Sequence, residues 1–177
     1  MRTATEMTEA AAEVGDFAGI VRQHQAMVFS IAYHFLHDRA LAEEVAQEVF
    51  LQLHQSVEEM QSGAHVGFWL RRVASHRAID CSRRRKLRPQ VGLDDVPEPA
   101  TMPTVGDPML TRRLERLVGS LPEKPRMVMI LRYQEDLSPV EIAEALDMPV
   151  RTVKSHLQRS LELLREKLRR AVGEENL

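Results

Sequence analysis

LSPVEIAEALDMPVRTVKSHLQRSLELL, residues 137–164, opens acidic, turns at LDMP and closes with cations set between apolar residues. Its first half predicts a short helix: Ser138 supplies an N-cap oxygen, Pro139 suits the first helical position, and Glu141 stands at the capping-box spacing. Val140, Ile142, Ala143 and Leu146 then face a core. The chain breaks at Asp147-Met148 and restarts at Pro149, after which Val150, Val153, Leu157, Leu161, Leu164 and Leu168 recur at helical spacing. One face of this second helix is therefore buried. The other keeps Arg151, Thr152, Lys154, Ser155, Gln158 and Arg159, and hydroxyls, an amide and cations are the groups that reach base edges and phosphates. Two helices joined in this way, the second carrying the polar face, make a helix-turn-helix with its reader.

Working outward, the charge distribution separates the chain into parts with different partners. Overall the 177 residues carry a net charge of −2, with 44% hydrophobic and 28% charged residues, as an ordinary globular protein does. Residues 1–67 hold 3 Arg against 10 acids, whereas residues 68–90 hold 8 cations against Asp80 alone. Residues 91–110 add 4 acids and no base, and residues 111–177 set 13 cations against 11 acids. An acidic front, a basic block and an acidic connector are concealed in near-neutrality, and the asymmetry implies one basic and one anionic partner. No apolar run approaches the roughly 18 residues of a membrane span. The N-terminus MRTATEMTEAAAEVGD lacks the apolar centre of a signal peptide, and Cys81 is the single cysteine, so no internal disulfide framework exists. A cytoplasmic location is expected.

The fold class expected is all-α: two small helical domains joined by a flexible Pro-rich linker. The linker RPQVGLDDVPEPATMPTVGDP holds 5 of the 9 prolines and shows neither helical nor strand period. It divides a tail over 1–15 and a first domain over 16–88 from a second over 109–172, with the linker itself at 89–108. Phe17, Ile20, Val21, Met27, Val28, Ile31, Phe35 and Leu36 mark one helix. Leu41, Val45, Val49, Phe50 and Leu53 mark a second, begun by Asp38, and GFWLRRVASHRAIDCSRRRKL makes a third. Beyond the linker, Met109 to Val118 and Pro125 to Tyr133 precede the two helices already described.

Chemistry concentrates in two places before the linker. On the second helix Glu44, Gln47, Glu48 and Gln52 fall opposite Val45, Val49 and Leu53, which fits either a solvated acidic face or a dock for a basic partner helix. On the third, Trp69, Arg72, His76 and Arg77 precede SRRRKLR, and cations near an aromatic suit single-stranded nucleic acid. Trp69 taken by itself, beside Phe68 and Leu70, fits the core better by type. Enzyme classes find no support, because G-x-x-x-x-G-K-[ST], G-x-S-x-G, G-x-G-x-x-G and H-E-x-x-H are all missing. His34 and His37 form H-x-x-H but lack a third ligand in reach, and neither metal nor cofactor is expected. Cys81 sits at apolar spacing as a small buried residue.

Taken together, these stretches resemble the extracytoplasmic-function (ECF) sigma factors, the two-domain group of the sigma-70 family of bacterial transcription initiation factors. DRALAEEVAQEVFLQLHQSV resembles the region 2 helix that binds core RNA polymerase, FWLRRVASHRAIDCSRRRK the helix that melts and reads the −10 element, and SLPEKPRMVMILRYQEDLSPVEIAEALDMPVRTVKSHLQRSLELLREKL region 4, which reads the −35 element. The resemblance implies that Glu44, Gln47 and Glu48 meet the beta-prime clamp helices of core polymerase. It implies that Arg72, Ser75, His76 and the loop QSGAHVG engage the −10 strand, on a surface that also holds Trp69, Arg83 and Arg84. Lys154, Ser155 and Gln158 would face −35 bases, with Arg151, Thr152 and Arg159 nearer phosphates. Partners implied are core RNA polymerase, including its beta flap, promoter DNA, and an anti-sigma factor that hides both domains. Two departures stand out. The family usually has Gly where this chain has Asp136 and Asp147, which predicts a left-handed backbone at each Asp. It often has Asn where His76 stands, so the −10 preference is expected to differ.

Two other function classes remain open at this point. An autonomous helix-turn-helix regulator would bind DNA alone, and a sequestering interaction protein would keep the acidic helix without needing a reader face.

Overall fold

The computed structural model describes residues 17–56, 60, 62–87 and 108–174. The tail expected over 1–15, and nearly all of the linker expected over 89–108, lie outside the described residues. The elements described are all α-helices: α1 (Phe17–Leu36), α2 (Arg39–Ser56), α3 (Gly63–Leu87), α4 (Pro108–Gly119), α5 (Glu123–Tyr133), α6 (Pro139–Ala145) and α7 (Val150–Glu174). The chain divides into two compact units, Met1–Asp94 and Asp95–Leu177, each with its own core.

In the first unit α1, α2 and α3 pack on one another. Val28, Ile31, Ala32 and Phe35 of α1 repeat at three- and four-residue intervals, as do Ala42, Val45, Val49 and Leu53 of α2, and all eight are buried. From α3 the inward residues are Val66, Leu70, Ala74 and Ala78, strictly four apart, and the two alanines let the neighbouring helices approach closely. Complete burial of a side chain such as Phe35 or Ile31 contributes about 1.5–3 kcal/mol. These positions therefore hold the unit together.

Between α1 and α2 the chain reverses in two residues. His37 takes a left-handed backbone (φ 51°), a conformation the sequence reading did not anticipate, and its N–H donates to Tyr33 O at 2.8 Å. Asp38 then caps α2 as expected, its Oδ1 accepting from Leu41 N–H at 3.0 Å. The third helix begins earlier than expected. Ser62 Oγ accepts from His65 N–H at 3.3 Å, so α3 starts at Gly63 rather than Gly67. Much of QSGAHVG is consequently helix and not loop, and Val66 and Gly67 within it are buried.

In the second unit α5 is buried through Met127, Val128, Met129, Ile130 and Leu131, five consecutive residues, because it packs against α7 and touches both α4 and α6. A cluster of Leu121, Met129 and Leu164, with Leu117, Val118, Leu157 and Leu161 around it, seats α4 on α7. The capping box at α6 is complete: Ser138 Oγ accepts from Glu141 N–H at 3.3 Å, and Glu141 Oε2 accepts from Ser138 N–H at 2.7 Å. One expectation fails here. Val140 does not join the core with Ile142, Ala143 and Leu146 but is 62% exposed.

Both aspartates expected in left-handed conformation adopt it, Asp136 at φ 53° and Asp147 at φ 50°. After α6, Met148 N–H donates to Ala143 O at 3.0 Å, the six-to-one bond of a Schellman turn with Asp147 at its left-handed position. That turn sets the angle at which α7 leaves. Replacing Asp147 by Gly is therefore expected to stabilise the second unit by up to about 1 kcal/mol, and Asp147→Ala to destabilise it. Thermal denaturation of the two variants checks the opposite signs; melting temperatures that move together contradict the strain.

Candidate nucleic-acid interface

Leaving the turn, α7 buries Val153 completely and Ser160 nearly so, which rotates the intervening polar residues outward. Arg151, Lys154 and Gln158 are exposed at i, i+3 and i+7 of one face, with Arg159 exposed beside them and Thr152 and Ser155 half-buried on its flank. Two long cations and an amide thus converge over two turns of helix. Gln158 Nε2 donates to Glu162 Oε1 at 3.1 Å, and that carboxylate marks where the basic face ends. His156 is half-buried. Burial, then Arg159 and Lys124, lower its pKa below the ordinary imidazole value, so it adds no charge to the face near neutral pH.

On α3 a second strip runs along one side. Trp69, Arg72, His76 and Arg83 recur at i, i+3, i+7 and i+14; the first three are half-buried and Arg83 is exposed. Ser75 does not belong to it. The serine is fully buried and its hydroxyl donates to Arg71 O at 2.7 Å, so the expectation that Ser75 engages DNA is corrected: its hydrogen bond is made inside the helix. Arg84 also leaves the strip, lying 4.0 Å from the Glu48 carboxylate.

The polar residues of α2 divide in the same way. Glu44 and Gln47 are exposed, while Glu48 is turned toward α3, 3.5 Å from Arg77 Nη1. Gln52 Oε1 accepts from Arg77 Nη2 at 3.0 Å, so its amide is engaged by α3 and not left on the outer face. The outer face gains a residue that the sequence reading passed over: Leu51, 66% exposed, one turn beyond Gln47. Leu51 and Gln47 border an apolar groove of about 830 Å³ between α1 and α2, lined by Phe17, Val21, Phe29 and Phe50. Phe17 meets His54 edge-on at 5.0 Å within the same groove. Three of the apolar residues counted toward helices in the sequence, Phe17, Val21 and Phe50, thus line an open groove. The signal was available, because Leu51 is apolar at a position whose helical neighbours Glu44 and Gln47 are polar.

This arrangement has counterparts. The family model for sigma-70 region 2 matches residues 20–88, and that for sigma-70 region 4 matches residues 111–164. The ECF RNA polymerase sigma factor SigW of Bacillus subtilis is 30% identical over 170 residues, covering 86% of this chain and 89% of the relative. The chain belongs to the ECF sigma factors of the sigma-70 family. The RNA polymerase sigma-E factor of Streptomyces coelicolor is 30% identical, with 88% of each chain covered. Among solved structures, the sigma factor RpoE of Bartonella quintana in complex with the anti-sigma factor NepR shares the fold at a TM-score of 0.72 and 17% identity, over 87% of this chain and 97% of that one. CnrH in complex with the cytosolic domain of CnrY does so at 0.66 and 18%, over 92% and 96%.

As a sigma factor the protein is a DNA-binding transcription initiation factor. Region 2 comprises α1 to α3, and the region 4 match runs from α4 into α7. Among the described residues no helix is long and apolar enough to cross a membrane.

Proposed function

We propose that this sigma factor brings core RNA polymerase to its promoters through three separate faces. The outer face of α2, Glu44 and Gln47 with Leu51 and the adjoining Glu48, meets the beta-prime clamp helices. Trp69, Arg72, His76 and Arg83 of α3 engage the −10 strand, where an aromatic ring offers stacking and the cations meet phosphate. On α7, Lys154, Ser155 and Gln158 read −35 bases while Arg151, Thr152 and Arg159 hold phosphates. The observation that carries the reading is the polar face of α7, projected by the Schellman turn at Asp147 while Val153 anchors its other side. Residues 89–108 act as the tether, and region 4 also meets the beta flap. The protein works in the cytoplasm without catalytic chemistry of its own. Because RpoE, a solved structure of the same fold, is bound to the anti-sigma factor NepR, an anti-sigma partner is part of the proposal.

An autonomous regulator would need only the helix-turn-helix, whereas here a separate folded unit carries an exposed acidic and apolar face. Each reading module alone buries little surface, so the free chain is expected to bind duplex DNA weakly and to gain promoter specificity with core polymerase. Run-off transcription with purified core polymerase tests this; tight, specific gel shifts by the isolated chain favour the autonomous regulator.

Within that assay the division of labour on α7 has its own signature. Lys154→Ala is expected to lose about 1–3 kcal/mol of promoter binding and relax preference at one −35 position, whereas Arg159→Ala weakens all promoters alike. A panel of single-base −35 variants reads the difference. If both substitutions lower every variant by one factor, α7 anchors DNA without reading it.

A further inference from the structure

We infer that the α2 segment masks cations of α3 that flank its proposed −10 strip in the free chain: Asp38, Glu48 and Gln52 form a polar seam that holds Arg77, Arg84 and Arg85 in competition with phosphate. The inference rests on the proposed function, since it concerns how that function's polymerase face and −10 face are joined. Three observations carry it. Arg77 is held by both branches of its guanidinium, Nη1 3.5 Å from Glu48 Oε2 and Nη2 donating to Gln52 Oε1 at 3.0 Å. Arg84 approaches the same Glu48 oxygen at 4.0 Å, so one carboxylate serves two cations. Farther along the helix pair, Arg85 Nη1 lies 3.4 Å from Asp38 Oδ2. The three arginines come from the block of eight cations that the sequence singles out, and their partners come from the acidic front. Cys81 lies one turn from Arg77 and Arg84. Burial raises its thiol pKa, and it is influenced by Arg84, Glu44, Glu48 and Asp38 together, which places both signs of charge at one seam.

Magnitude decides what the seam does. The side chains of Arg77 and Glu48 are 41% and 31% exposed, and those of Arg85 and Asp38 are 45% and 29% exposed. Partly solvated pairs of this kind are weak and screened by salt. They are too weak to be what holds region 2 folded, and weak enough for a phosphate chain to displace. The seam is therefore a competitor and not a lock. Glu48 also borders the polymerase-facing side of α2. A basic partner that draws Glu48 away frees Arg77 and Arg84 for DNA, and by reciprocity DNA that takes those arginines leaves Glu48 to the partner. Glu48 is thus a positioning residue that couples two binding events.

The test uses the full chain without polymerase and a mixed-sequence single-stranded oligodeoxynucleotide, with binding followed by fluorescence anisotropy across a salt series. Glu48→Gln is expected to bind about two- to fivefold more tightly at low salt. Its plot of log affinity against log salt should steepen by up to about 1.4, two released cations at roughly 0.7 each. Glu43→Gln makes the same change in net charge but breaks only the Arg39–Glu43 pair within α2. It should gain less than half as much. In a background of Arg77→Gln with Arg84→Gln, the gain from Glu48→Gln should vanish, which guards against a change in folding being read as unmasking. Equal gains for Glu48→Gln and Glu43→Gln, or a gain that survives loss of both arginines, overturns the mask. Run-off transcription by the wild-type chain tests the sigma role separately, so a chain that initiates normally while Glu48→Gln binds DNA no more tightly sinks the mask alone.

Discussion

Replacing Val153 by Asp is expected to unfold region 4 and abolish promoter-directed transcription, whereas Val140→Asp leaves both nearly unchanged. The two valines stand on the two helices of one helix-turn-helix, and a sequence period assigns both to the core. Val153 is fully buried at the start of α7, whose main packing partners are α5 and α6. An aspartate there either buries an unpaired charge or forces α7 away from them, at a cost of several kcal/mol. A small helical domain has about 5 kcal/mol in all to lose. Val140, by contrast, is 62% exposed in the first turn of α6, where an acid is favoured by the partial positive charge of the helix N-terminus. Circular dichroism should show Val153→Asp losing part of its helical signal while Val140→Asp retains it and melts within a few degrees of wild type. A Val153→Asp protein with full helicity and unchanged melting contradicts the core assignment.

That pair of valines also shows how far the sequence could be read. Part of the local chemistry was legible: Ser138, Pro139 and Glu141 specify the capped start of α6, and Asp38 that of α2, because a cap is decided within four residues, whereas the left-handed His37 and the Ser62 cap of α3 were not read. The left-handed aspartates were legible through the resemblance, because the family usually has Gly at both positions. Helix faces were legible only by angle. Periodicity places Glu44, Gln47, Glu48 and Gln52 on adjacent strips of α2 but does not say that α3 covers the side holding Glu48 and Gln52. Ser75 failed for a related reason. The resemblance turns that serine toward DNA, yet a serine can satisfy its hydroxyl on a carbonyl of its own helix and be buried without loss. Leu51 erred in the opposite direction, an apolar residue that the fold leaves outside.

The identity of the strips on α2 governs the second large effect. Charge reversal at Glu48 would disturb Arg77 and Arg84 as well as any partner, so it cannot isolate docking. Glu44 and Leu51 are the better pair, because both are exposed and neither contributes to the core of region 2. Glu44→Lys and Leu51→Glu should each change folding stability by no more than about 0.5 kcal/mol, as surface substitutions do. In binding they act differently. Glu44→Lys places a cation against a basic partner helix, an electrostatic loss that rising salt screens. Leu51→Glu removes apolar contact beside the α1–α2 groove, a loss that salt leaves in place. If each residue contributes about 1–2 kcal/mol, the double variant binds core polymerase on the order of a hundredfold more weakly. Titrating fluorescently labelled variants with core polymerase at low and high salt separates the contributions: the Glu44→Lys defect should shrink at high salt and the Leu51→Glu defect persist. Wild-type affinity in the double variant, with its melting temperature preserved, would remove the polymerase dock from this face of α2 and leave the groove to some other partner.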